Sequence, residues 1–191
     1  MTPNLRVGVA LVRACRAPSC CGVIEIVRAD ITTLDVDAIV NAANSSLLGG
    51  GGVDGEIHRA AGPELARAAG VFAPCATGNA VITPGFRLRA RFVIHAVGPI
   101  WHGGAAGEAA LLAQTYENAF ALASGDGTIR SIAFPAISTG IYGFPKDRAA
   151  SVALSAMLAH EREFERIVAC LFDGESLELY RQELDRLRSR S

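Results

Sequence analysis

The stretch NAANSSLLGGGGVDG, residues 41 to 55, sets four consecutive glycines between an apolar run and helix-forming sequence. Each glycine leaves the unfolded chain freer and adds to the entropy that folding must overcome, so a run of four is a poor plain connector. Such a run suits a place where the backbone must come close to something else. It points to folds in which a strand ends, a bare loop follows and a helix begins.

The surrounding pattern agrees. VIEIV (23–27) and VDAIV (36–40) are β-branched runs that read as buried strands, the second leading straight into Asn41. After the glycines, VDGEIHRAAGPELARAAG carries two short helices, divided near Pro63 and stopped at Gly70. NAVITPG and RFVIHAVGP supply further strands, and EAALLAQTYENAFALA a long helix. SIAFPAI, DRAASVALSAMLAHE and RIVACLF form a strand, helix, strand unit long enough for a right-handed crossover. SLELYRQELDRLRSR puts Leu177, Tyr180, Leu184 and Leu187 on one helical face. The expected class is α/β, a single mixed sheet with helices on both sides.

A chain of 191 residues suits one domain with a continuous core. Residues 1–22 contain a short apolar stretch that Arg13 and Arg16 interrupt, which reads as a weakly structured extension or a misplaced start and not an export signal, leaving 23–188 as the domain. No apolar run approaches the roughly 18 to 20 residues that cross a bilayer, so no membrane partner is expected. The net charge of −1 supplies no overall field for nucleic acid. The one local candidate is RLRAR, where Arg87, Arg89 and Arg91 alternate, and an edge strand guarded by charge is the preferred reading of it. Five cysteines, an odd number, fit a reducing cytoplasm better than a disulfide framework. Lys146 is the only lysine and no GKS or GKT follows a glycine loop, which rules out a Walker phosphate site. His58, His95, His102 and His160 lack ligand spacing, so no metal is expected.

A second loop, STGIYGFP (138–145), follows an apolar strand and leads into a helix marked by Pro145, where backbone N–H groups and the helix dipole favour an anion. Two such loops at the carboxyl ends of strands suit a diphosphate. Gly50, Gly52 and Gly55 also match the dinucleotide fingerprint G-x-G-x-x-G, but no Asp or Glu occurs between Leu65 and Gly107 to hold a ribose. Polar residues flank both loops. Asp30 is placed to accept from the amino group of a base or to cap a turn. Asn41 and Asn44 are turn formers or amides that fix a sugar hydroxyl. Asp54 follows the glycines with Gly55 on its far side, so it is either a carboxylate little shielded from whatever the loop holds or a helix cap.

Three blocks, ADITTLDVDAIVNAANSSLLGGGGVDGEIHRAAGP, FVIHAVGPIWHGG and SIAFPAISTGIYGFP, together resemble the macrodomains, in particular the MacroD-type branch with its bacterial O-acetyl-ADP-ribose deacetylases. The likeness runs from about Val23 to Arg186. It implies a three-layer α/β/α fold that binds ADP-ribose along the top of the sheet. By position, Asp30 and the Ile31 backbone would take the adenine. Gly52, Val53, Ser138, Thr139, Gly140, Ile141 and Tyr142 would enclose the diphosphate and distal ribose. Asn44 would orient that ribose and Asp54 would act on an ester attached to it, with no metal or cofactor. The implied substrates are O-acetyl-ADP-ribose and proteins mono-ADP-ribosylated on Asp or Glu, and the expected state is a monomer. A non-catalytic reader of ADP-ribose, or a regulatory protein acting on a ribonuclease, are the alternatives that the resemblance leaves open. Ala29 stands where the family usually has glycine, which adds a methyl at the adenine end.

Overall fold

The computed structural model describes residues 23–190, so the extension expected over 1–22 lies outside it. Strands β1 (Ile24–Arg28) and β2 (Ala38–Ala43) flank a short 3-10 turn, Ile31–Thr33. Helices α1 (Gly52–Ala61) and α2 (Pro63–Gly70) follow, then β3 (Ala80–Pro84), β4 (Phe92–Val97), α3 (Glu108–Asp126), β5 (Ser131–Phe134), α4 (Lys146–Ala159), β6 (Arg166–Leu171) and α5 (Gly174–Arg188). The six strands lie in the order β1-β6-β5-β2-β4-β3, all parallel to their neighbours except β3, which runs antiparallel to β4.

Alternation along the strands divides the core. On one face Val40, Ile94, Phe134 and Ala169 pack with α3, α4 and α5; on the other Ile39, Val93, Ala133 and Val168 pack with Ile57 and Leu65 of α1 and α2. The result is the expected three-layer α/β/α arrangement around a mixed sheet. Pro63 opens α2, where its missing N–H costs nothing, and Asp173 caps α5 by accepting from the Ser176 N–H.

Two local expectations are corrected. Strand β2 does not stop at Val40 but runs on through Asn41 to Ala43, because Asn41 finds buried partners on β4 and α1. The arginine stretch is a turn, not an edge strand: the Gly85 N–H donates to the Arg91 carbonyl, closing the connection from β3 to β4. Arg87 pairs with Glu64 and Arg91 with Asp37.

Asp37 ties three segments together at the amino end of β2. Its Oδ2 accepts from the N–H groups of Arg130 and Ser131 and from the Ser131 hydroxyl, while its Oδ1 accepts from Arg91. Burial raises the carboxyl pKa, but these hydrogen bonds outweigh it and hold the group below its ordinary value. A lowered folded pKa contributes stability above the unfolded pKa that is lost as pH falls through the folded one. Asp37→Ala is expected to cost about 1–3 kcal/mol in urea unfolding at pH 7, and the gap from wild type should narrow as both are titrated through the acid range. A gap independent of pH would show that the charge is not what matters.

Candidate active site

Strand β2 sends its chain to α1 on one face of the sheet and β5 sends its chain to α4 on the other, so the carboxyl ends of these neighbouring strands are left uncovered. Open α/β sheets bind ligands at such a crevice. The cleft found here is lined by Ala42 and Ala43 at the end of β2, Ala136 and Ile137 after β5, and the two glycine loops.

The first loop explains its composition. Gly52 opens α1 with a φ of +60°, a conformation that side chains rarely adopt. At Gly50 the limit is space: a Cβ there would sit 3.0 Å from Asp54 Oδ2 and 3.1 Å from Asn44 Nδ2. The bare backbone passes directly over this polar pair. From the other side, Ile141 of the second loop is 87% exposed, and its Cδ1 would lie 3.3 Å from a Cβ on Gly51, so the two loops approach each other across the cleft.

Asp54 lies in the first turn of α1 and is only 4% exposed. Its Oδ1 accepts from Asn41 Nδ2 at 2.7 Å and lies 3.4 Å from His58 Nε2, one helical turn along α1. Its Oδ2 accepts from Asn44 Nδ2 at 3.3 Å. Burial pushes the carboxyl pKa up, while the Asn41 bond and the His58 ring draw it part of the way back, leaving it raised. Asn44 takes the turn-forming role, since its Nδ2 also donates to the Gly49 carbonyl and its Oδ1 accepts from the N–H and hydroxyl of Ser46.

Behind Asn41 a second buried layer follows. Asn41 on β2 faces His95 on β4 in register, its Nδ2 3.2 Å from Nδ1, and His95 Nε2 lies 3.0 Å from the Thr83 hydroxyl on β3. Burial, with the His58 ring nearby, lowers the His95 pKa to about 3, so this imidazole is neutral at physiological pH.

In the second loop Ser138 has a φ of +66° and a buried hydroxyl without a protein partner. A non-glycine residue in that conformation is sparsely tolerated, and an unpaired buried donor is costly unless something completes it. Gly140, Ile141 and Tyr142 line the cleft with Ser138, as do Asn44, Gly52, Val53 and Asp54. Thr139 does not, because its hydroxyl turns back to the Ala136 carbonyl.

Asp30 and Ile31 lie outside the cleft walls, after the end of β1. Asp30 caps the 3-10 turn, its Oδ1 accepting from the N–H and hydroxyl of Thr32. Alongside it the Ala29 N–H donates to the Leu171 carbonyl, which brings the end of β6 and the next residue, Phe172, to the same rim. Phe172 is 91% exposed.

His58 and Phe172 were not singled out as site residues from the sequence, and Asn41 was read there as a turn former or a sugar-binding amide, not as a buried partner of Asp54. His58 had a readable signal, its i+4 spacing from Asp54 on a helix. Phe172 had none, since an aromatic residue after an apolar strand reads as core. Among the described residues no group of three or more His, Cys, Asp or Glu is arranged to hold a metal, and no helix is long and apolar enough to cross a membrane.

Comparison with known proteins fits this architecture. The family model described as Macro domain matches residues 40–153. A macro domain-containing protein of Chlorobaculum tepidum is 56% identical over 164 residues, covering 84% of this chain and 95% of that one. A protein of Klebsiella pneumoniae named O-acetyl-ADP-ribose deacetylase is 52% identical over 165 residues, covering 83% of this chain and 94% of its own. Among solved structures, an Oceanobacillus iheyensis macrodomain with ADP superposes with a TM-score of 0.82 at 43% identity, covering 88% of this chain and 93% of that one. The match in sequence spans both glycine loops and the match in structure covers most of the chain, so the chain belongs to the macro domain family.

Proposed function

We propose that this protein binds ADP-ribose and hydrolyses acyl esters on its distal ribose, acting on O-acetyl-ADP-ribose and on proteins mono-ADP-ribosylated at Asp or Glu. The observation that carries the reading is Asp54: a buried carboxylate with a raised pKa, held by two asparagine amides beneath a bare glycine backbone at the head of a cleft. The relatives named as deacetylases support the same reaction class.

In this reading the diphosphate lies between the two loops, against Gly52, Val53 and the Ser138 to Tyr142 segment, where N–H groups at the start of α1 favour an anion. The orphan Ser138 hydroxyl supplies one further donor. The adenine lies at the rim formed by Asp30 and Ile31, with the Phe172 ring as a stacking platform. The distal ribose reaches Asn44 and Asp54. Water adds to the ester carbonyl, the bond from acyl carbon to ribose oxygen breaks, and a carboxylic acid and a ribose hydroxyl are released. Asp54 orients that water and takes up its proton; a carboxylate whose pKa is raised is a better base than an ordinary aspartate. Serine-linked or arginine-linked ADP-ribose lacks the acyl ester and should resist.

Titration calorimetry tests the placement of the base. Phe172→Ala should weaken ADP-ribose by roughly tenfold or more, the scale of one lost stacking partner. Asp30→Ala should weaken ADP-ribose more than its inosine analogue, because only adenine offers the amino group. Equal losses for both ligands, or no loss at Phe172, would remove the base from this rim.

A further inference from the structure

Asn41, His95 and Thr83 are fully or almost fully buried polar side chains on a face of the sheet that is otherwise apolar. They come from three adjacent strands, β2, β4 and β3, and they form one line of hydrogen bonds that ends at Asp54. Burying three polar groups in series is unfavourable unless each is matched. The match has a direction.

The Asn41 nitrogen makes two contacts, 2.7 Å to Asp54 Oδ1 and 3.2 Å to His95 Nδ1, while its Oδ1 is buried and has no partner. An ionised carboxylate only accepts, so the amide must present N–H to it. The second N–H then requires His95 Nδ1 to be bare, which leaves the ring proton on Nε2, facing the Thr83 hydroxyl. With a proton on His95 Nδ1 the contact would favour a flipped amide, and its carbonyl would then meet the Asp54 carboxylate at hydrogen-bond distance. Among the described residues, the ionisable side chain that faces the ring is His58 of α1, whose ring centroid is 5.9 Å away.

We propose that His95 is a positioning residue: its bare Nδ1 locks the Asn41 amide with both N–H groups outward, and that orientation keeps Asp54 supplied with a donor from behind the cleft. His95 is fully buried and does not line the cleft. It acts through Asn41 on the carboxylate to which ester hydrolysis was assigned above, and only the turnover arm of the test depends on that assignment.

Two-bond nitrogen–proton NMR of the full chain reads the tautomer directly. The expected result is a neutral His95 protonated at Nε2 throughout the pH range of activity; a proton on Nδ1 would overturn the proposal. His95→Phe keeps a ring of similar size and removes the acceptor, whereas His95→Asn returns an acceptor near the position of Nδ1. In His95→Phe the Asp54 carboxyl carbon should titrate at higher pH than in wild type, and kcat on O-acetyl-ADP-ribose should fall roughly tenfold or more with KM little changed, the scale of one charge-assisted hydrogen bond. His95→Asn should restore most of the loss. Equal impairment in both variants, or an unchanged Asp54 titration in His95→Phe, would show that the acceptor does not matter. Should His95→Phe fail to fold, the wild-type tautomer still decides.

Discussion

Asp54→Asn is expected to lose ester hydrolysis by about 10²–10⁴-fold, the usual contribution of a positioned base, while ADP-ribose affinity stays within a few-fold of wild type. The substitution keeps the shape of the side chain and the acceptor for Asn41, whose 2.7 Å bond is the shortest that reaches this group. What it removes is the capacity to take a proton, together with the acceptor for the longer 3.3 Å bond from Asn44. It should also leave the fold intact or make it more stable. The Asp54 pKa is raised on folding, so the native chain holds that proton more tightly than the unfolded chain, and the ionised group costs stability once pH exceeds the unfolded value. A neutral amide at this position carries no such cost. A thermal melt at neutral pH with Tm equal to or above that of wild type, alongside the kinetic loss, is the expected pair of results. A lower Tm with proportionally lower binding would mean that the carboxylate is structural.

The second large effect is expected at Gly50→Val. The backbone there is not left-handed, so a branched side chain is not excluded by its conformation. The exclusion is local: its Cβ alone would come within 3.0 Å of Asp54 Oδ2 and 3.1 Å of Asn44 Nδ2, and the added methyl groups would press further into that pair. The amide and carboxylate must separate or the loop must lift. A displacement of about 1 Å at a reacting group is enough to lower turnover by roughly 10²-fold, so kcat should fall by that order while the melting temperature changes little. Wild-type kcat in a folded Gly50→Val protein would mean that Asn44 and Asp54 do not work as a pair.

The order of strands and helices was readable because apolar periods and glycine or proline stops coincide along most of the chain. The glycine loop and the segment from Ser138 were readable for the same reason, each lying between an apolar run and a helix. Asn41 was harder. An asparagine after an apolar run carries a turn signal, and only the register of β2 with β4, which sets His95 opposite it, turns that signal into a buried strand position. The arginines at 87, 89 and 91 mislead in the opposite sense: period two suggests a strand, yet Pro84 ends β3 and Gly85 closes a turn whose backbone bond no side-chain pattern displays. Asp30 shows a further limit. Its capping of the turn at Ile31 is local chemistry that sequence reveals, whereas its nearness to Phe172 depends on β1 pairing with β6, strands far apart in the chain.

The most direct test of ester hydrolysis is to incubate the purified wild-type protein with O-acetyl-ADP-ribose in the presence of a chelator, following the products by chromatography while ADP-ribose binding is measured by calorimetry. The expected result is tight binding together with release of free ADP-ribose and acetate. Tight binding with no release would make this chain a reader of ADP-ribose, and the assignment of Asn44 and Asp54 to ester hydrolysis would fall.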